Sequence, residues 1–258
     1  MKKKLIKTNR WFLFSLMLMA VSFIAEGKTY LVSIGVSDYS HYPYRVMSLR
    51  LPIHDAKTVA DIYSINRTKK KDNGSIDYVL LLDSLATKDR IIRAMNKVYR
   101  QAEEDDIVVF FFSGHGYNGG FCAYDGDVEY SDIRKVMAKS KSKNKMIFAD
   151  ACRSGGLRGD HYASGLSNDS TDKKANVMLL LSSRTNENSR ERTDMKNGFF
   201  TEYLKKGLGG NADVNRDRTI TTKELFDFVS KGVADISDEK QHPVMWGNFD
   251  DNMPVMKW

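Results

Sequence analysis

The sequence predicts an α/β protein built on a mostly parallel sheet with helices on both faces. Three observations lead there. First, short and nearly unbroken apolar runs recur along the chain: Thr29–Val36 (TYLVSIGV), Tyr78–Leu82 (YVLLL), Ile107–Phe112 (IVVFFF), Met146–Ala149 (MIFA) and Val177–Leu181 (VMLLL). Strands covered on both faces read this way, whereas half-exposed antiparallel strands alternate. Second, segments with helical apolar spacing fall between these runs, the order expected of a parallel sheet with crossover helices. Third, the chain has 258 residues, 41% of them apolar and 28% charged. That make-up belongs to a folded protein of one large domain or two small ones.

Each element has its own reason. Residues 51–65 place Leu51, Ala56, Val59, Ala60, Ile62 and Tyr63 near a helical period. Residues 87–102 read as a helix with Thr87 as its N-cap. Gly120–Tyr124 reads as a short strand, Asp132–Ala138 as a helix, and Phe199–Leu208 and Thr222–Val233 as the closing helices. Lys139, Lys141, Lys143 and Lys145 alternate with Ser and Asn and read as a solvated helix end rather than a nucleic-acid patch. Gly156–Asn176 breaks the pattern: it is polar, rich in Gly, Ser, Asp and Lys, and reads as a mobile loop.

The formal net charge is +7, but Lys2, Lys3, Lys4, Lys7 and Arg10 against Glu26 hold four of those charges within the first 27 residues. The remainder gives no reason to expect a nucleic-acid partner. The basic start and the apolar run from Trp11 to Ala25 read as an export signal over 1–27. The run is short for a membrane span, and Ala25-Glu26-Gly27 suits cleavage before Lys28. A periplasmic or secreted protein of residues 28–258 is expected, with no membrane contact beyond the signal segment. Two cysteines exclude a disulfide scaffold, and five histidines without a His-x-x-x-His pair exclude a zincin site. No Gly-rich phosphate loop with Lys-Ser/Thr and no Gly-x-Ser-x-Gly elbow occurs.

Ligands of parallel sheets bind at the carboxyl ends of the strands. After IVVFFF comes Ser113-Gly114-His115-Gly116, and after MIFA comes Asp150-Ala151-Cys152-Arg153-Ser154-Gly155-Gly156. A thiol and a histidine thus leave two strand ends about one crossover unit apart. That pair is the minimum for nucleophilic acyl transfer: Cys152 as nucleophile, His115 as proton carrier. The backbone amides of Gly116 and Cys152 are placed to form an oxyanion hole. Cys122 reads as a small buried hydrophobe.

FFFSGHG followed by FADACRSGG resembles the caspase and metacaspase family of cysteine peptidases, with support from LVSIGVSDY, LPIHDAKTVADIY and GFFTEYLKKGL. The resemblance runs from about Lys28 to Val233. It implies a caspase-like three-layer sandwich, a mostly parallel six-stranded sheet between helices, and a His115–Cys152 dyad. It further implies, from the metacaspase branch, that Asp55 and Asp150 form a first pocket selecting Arg or Lys, with Ser113 as a third wall. Two carboxylates in a recess suit a guanidinium. Metacaspases commonly bind an activating calcium after the histidine. Asp125, Asp127, Glu129 and Asp132 occupy that stretch here without matching the family's cluster.

The expected partners are therefore peptides or proteins with Arg or Lys at the cleavage site, and no cofactor is required for the chemistry. The layout is a signal at 1–27, a peptidase domain over 28–258 with an inter-portion loop at 156–176, and a C-terminal extension at 209–258. In that extension, Asp213, Asn215, Asp217, Thr221 and Glu224 have the spacing of an EF-hand loop over 213–224, with Arg218 where glycine is preferred, so Ca2+ is a candidate ligand. The 156–176 loop carries Arg158 and Lys174, the residue type the pocket would accept. Self-cleavage after Lys174 or Arg158 is expected, because a tethered segment has a high effective concentration at its own site. The alternatives are a catalytically silent caspase-fold module that binds a peptide or partner, and a calcium-binding regulatory protein.

Overall fold

The computed structural model describes residues 27–44, 46–65, 77–117, 119–151, 177–184 and 194–257. Its centre is a six-stranded sheet. In chain order the strands are β1 (Thr29–Gly35), β2 (Tyr78–Leu82), β3 (Ile107–Gly114), β7 (Asn144–Ala151), β8 (Val177–Leu181) and β10 (Val244–Gly247), arranged β10-β8-β7-β3-β1-β2. All neighbours are parallel except β10, which runs antiparallel to β8. A three-stranded sheet of β4 (Gly116–Tyr117), β5 (Gly120–Cys122) and β6 (Asp127–Glu129) lies beyond the histidine, and β9 (Thr219–Thr221) pairs with β11 (Pro254–Lys257).

Alternation along β3 divides the core. Val108, Phe110 and Phe112 point to one face, where α2 (Lys88–Tyr99) and α3 (Tyr130–Ala138) contribute Ile91, Met95, Val98, Ile133 and Met137. Ile107, Val109 and Phe111 point to the other, against α1 (Pro52–Ile65), α4 (Phe199–Lys206) and α5 (Thr222–Ile236). These are the three layers expected from the sequence. β3 is buried along its whole length, as its unbroken apolar run required.

Local signals explain the helix starts. Pro52 opens α1, where its missing N–H costs nothing, and Asp55 lies in the first turn. Thr87 caps α2 by accepting from the Arg90 N–H at 3.4 Å. Thr221 and Glu224 form a reciprocal capping box on α5.

The sixth strand of the main sheet is β10, four residues long and too short to show a pattern, while Gly120–Cys122, read as a short strand, forms one in the separate small sheet. Residues 209–258, read as a C-terminal extension within the domain, supply β10 to the main sheet and α5 to its face. The lysine-rich stretch is not a solvated helix end throughout: Lys145 lies within β7 at 3% exposure, and burial pulls its ammonium pKa down. No helix among the described residues is long and apolar enough to cross a membrane. The export segment lies almost wholly outside the described residues.

Candidate active site

The register between β3 and β7 sets the site. Ser113 lies opposite Asp150, and Gly114 opposite Ala151. His115 is thus the next residue after β3, at the level where β7 ends at Ala151. Cys152 lies outside the described residues, as do Arg158, Lys174 and the whole 156–176 loop.

His115 is held from two sides. Its Nε2 lies 2.7 Å from the Met47 carbonyl oxygen. A carbonyl only accepts, so Nε2 carries the proton and Nδ1 is left as the ring's acceptor. Its backbone N–H donates to the Tyr39 hydroxyl at 2.7 Å, and that hydroxyl donates to the Cys122 carbonyl at 3.1 Å. The Tyr39 ring leans on the imidazole, with centroids 4.7 Å apart. Burial raises the Tyr39 pKa, so the phenol stays a donor. Gly114 makes room: a Cβ there would stand 2.5 Å from the Tyr39 hydroxyl oxygen. The segment carrying Tyr39 and Met47 is tied down at its start, where Asp83 accepts from the N–H groups of Ser37 and Asp38 at 2.7 and 2.9 Å.

Tyr39→Phe deletes that hydroxyl and leaves a part-buried N–H and a buried carbonyl without this partner. The expected loss is about 1–3 kcal/mol of stability, read as a lowered melting point, with a fall in kcat as the imidazole loosens. An unchanged melting point and kcat would show that Tyr39 does not hold the histidine.

Gly116 faces Phe121 across β4 and β5, while the Cys122 N–H donates to the His115 carbonyl at 2.9 Å. That bond makes Gly116–Phe121 the pair that exchanges no ladder hydrogen bonds, so the Gly116 N–H is directed away from β5. Cys122 is a buried free thiol, as its sequence context suggested, and burial raises its pKa.

On the face covered by α1 and α4, the top of the sheet becomes polar. Ser113 and Asp150 follow the same alternation as Phe111 and Phe148 and so project to the face where α1 brings Asp55. Asp55 is 2% exposed and Asp150 6%. The Ser113 hydroxyl donates to Asp55 Oδ2 at 2.8 Å, and Asn197 Nδ2 and the Gly198 N–H donate to Oδ1 at 2.9 and 3.1 Å. The Thr201 hydroxyl and N–H donate to Asp150 Oδ2 at 2.8 and 3.2 Å. Burial, and then the Asp150 carboxylate, hold the Asp55 carboxyl well above the usual aspartate range, and its three donors oppose that rise. The three residues expected to form a first pocket are therefore together.

The acidic residues after His115 are engaged elsewhere. Asp125 accepts from the Lys88 N–H at the start of α2, Asp127 from the Tyr42 hydroxyl, and Asp132 pairs with Lys88 and Lys135. The 213–224 loop also turns its oxygens on itself. Asp213 accepts from the N–H groups of Asp217 and Arg218, Asn215 Oδ1 from that of Asp217, and Asp217 Oδ1 from that of Thr219. The Glu224 carboxylate accepts from the Thr221 N–H and hydroxyl. Arg218 takes φ 67°, the left-handed conformation glycine adopts more readily. Among the described residues, no group of three or more His, Cys, Asp or Glu converges as a metal would need.

Sequence reasoning missed Tyr39, the Met47 carbonyl, Asn197 and Thr201. A backbone carbonyl leaves no signature in a sequence. Thr201 did leave one: it is a polar residue inside the buried stripe Phe199, Phe200 and Leu204 of α4.

A six-stranded, mostly parallel sheet with helices on both faces defines a caspase-like fold. The caspase-domain peptidase family matches residues 32–253, and the chain belongs to that family. Among solved structures, protein GSU0716 from Geobacter sulfurreducens is similar with a TM-score of 0.62 and 17% identity, over 90% of this chain and 97% of that one. The structure of pro-sf-caspase-1 is similar with a TM-score of 0.58 and 13% identity, over 89% and 95%. A comparison with curated proteins gives no match.

Proposed function

We propose that this caspase-domain protein is a cysteine endopeptidase that uses His115 and Cys152 and cuts after Arg or Lys. The observation that carries the reading is the β3–β7 register, which sets Ser113 beside Asp150 and Gly114 beside Ala151, the residues that directly precede His115 and Cys152 in the sequence. In the proposed reaction the Cys152 thiolate adds to the substrate carbonyl. The Gly116 and Cys152 amides receive the developing oxyanion. His115, its Nε2–H held by Met47, takes the thiol proton on Nδ1 and delivers it to the leaving amine; water then hydrolyses the acyl-enzyme. The cationic side chain of the substrate sits against Asp55 and Asp150, where two carboxylates suit a guanidinium or ammonium.

A fluorogenic peptide library tests both halves. Cleavage after Arg and Lys and none after Asp is the expected result. Preferential cleavage after Asp overturns the pocket, and a peptidyl thiol probe that fails to label Cys152 favours the silent binding module. Turnover is expected to be unchanged by a chelator, and a chelator-sensitive activity restored by calcium would refute metal-free chemistry.

Export with cleavage before Lys28 is part of the same reading. The Lys28 N–H donates to Asp106 Oδ1 at 2.7 Å, so cleavage before Lys28 would set the new ammonium against that carboxylate. Self-processing follows from the same specificity. Incubated wild type is expected to yield two associated fragments cut after Lys174 or Arg158, with Cys152→Ala remaining whole. A fully active wild type with an intact chain would refute processing as activation.

A further inference from the structure

Asp55 and Asp150 come from two different elements, α1 and β7, and a third element touches both. The turn entering α4 places Asn197 and Gly198 on Asp55 and Thr201 on Asp150. We propose that the Asn197–Thr201 turn determines specificity by holding the two carboxylates at a fixed separation, as a positioning element for the cationic side chain of the substrate. This inference rests on the Arg/Lys reading of the pocket.

Three features of the geometry support it. Asn197 Nδ2 donates both to Asp55 Oδ1 and to Thr58 Oγ1 at 3.0 Å, so one amide grips two residues a turn apart on α1. Gly198 stands between the carboxylates: its N–H serves Asp55, and a Cβ on it would lie 2.6 Å from Asp150 Oδ2. Thr201 is completely buried and gives both its hydroxyl and its N–H to one oxygen of Asp150. Fixed donors matter at this place because two like charges in a dry site otherwise move apart or hold a proton between them. Asp150 is the charged group acting on Asp55; His54 and Lys57 on α1 and Lys196 beside the turn are exposed to solvent. Neither Asn197 nor Thr201 is placed in the acyl-transfer machinery.

The full chain carrying Asn197→Leu, Thr201→Val or Thr201→Ser is compared with wild type by steady-state kinetics on an arginyl peptide and on its norleucyl counterpart. In parallel, the Asp55 carboxyl is titrated by carbon NMR. Asn197→Leu and Thr201→Val are expected to raise KM for the arginyl peptide about tenfold, the scale of one hydrogen bond to a charge. Neither should change kcat by more than about twofold or alter the norleucyl peptide. Thr201→Ser keeps the hydroxyl and should stay near wild type. In Asn197→Leu the Asp55 titration moves to higher pH. Equal losses on both peptides, or an unmoved titration with an unmoved KM, overturn the proposal. A titration that moves in a protein with no arginyl preference leaves the carboxylates held by this turn and removes the pocket reading instead. Thr201→Val preserves shape, so it decides the case if Asn197→Leu does not fold.

Discussion

His115→Ala is expected to lower kcat on an arginyl peptide by about 10²–10⁴-fold, the usual contribution of a positioned acid–base group, and Cys152→Ala is expected to abolish turnover. The two losses differ because the residues do different work. Without the sulfur there is no acyl-enzyme, and no neighbour can replace it. Without the imidazole the thiol still ionises to a small extent and water can still protonate the leaving amine, only slowly. Because the Met47 carbonyl accepts from the Nε2–H, the neutral ring has one tautomer and a defined acceptor, and its removal should act on kcat more than on KM. Active-site titration with a thiol probe provides the control. His115→Ala should retain a slowly labelled Cys152, while Cys152→Ala should take up none. Near-normal turnover in purified Cys152→Ala would remove the assigned nucleophile.

The second large effect is expected at the carboxylates, and it has opposite signs in activity and stability. Asp55→Asn or Asp150→Asn should cost about 1.5–3 kcal/mol in kcat/KM for arginyl peptides, since each removes a charge-assisted hydrogen bond to the substrate cation. Asp55→Asn should also make the free protein more stable at high pH. The Asp55 carboxyl is raised by burial and by Asp150, so the folded state binds its proton more tightly than the unfolded chain does. Its contribution is fully present below the unfolded value near 3.8 and is lost as pH rises through the raised folded value. Asparagine carries no charge to lose, so the gap between variant and wild type should open across that interval and then stay constant. The replacement fits locally. Its carbonyl can accept from Asn197 and Gly198, and its amide can donate to the Ser113 hydroxyl, which reverses its role. Arginyl substrates should bind more tightly as pH rises through the same interval, because the ionised pair is the form that receives the cation. Melting curves for wild type and Asp55→Asn that run parallel from pH 4 to pH 9 would show that the carboxyl is not strained.

The histidine, the cysteine and the two aspartates stood out in the sequence for a shared reason. Each is a polar residue placed where an apolar run ends or a helix begins, and such places are few. Asp55 follows Pro52 by three residues, and Asp150 and Ser113 directly extend the runs MIFA and IVVFFF. Lys145 shows the opposite case. The residues before it are Ser, Asn and Lys, so local polarity suggested solvent, yet the strand begins one residue earlier and takes the side chain inside.

By itself the sequence determined the parallel α/β core, the strand ends proposed to carry the chemistry, and the residue types available there. Apolar runs and helical spacing are local properties, and burying them leaves few arrangements of the layers. Only the tertiary structure decided how those residues are held. Met47 reaches His115 across 68 residues, Asn197 reaches Asp55 across 142, and Thr201 reaches Asp150 across 51. Contacts at such separations follow from strand register and from how α1 and α4 seat on one face of the sheet. No periodicity within either partner encodes them, and a backbone carbonyl such as that of Met47 is present at every position of every chain.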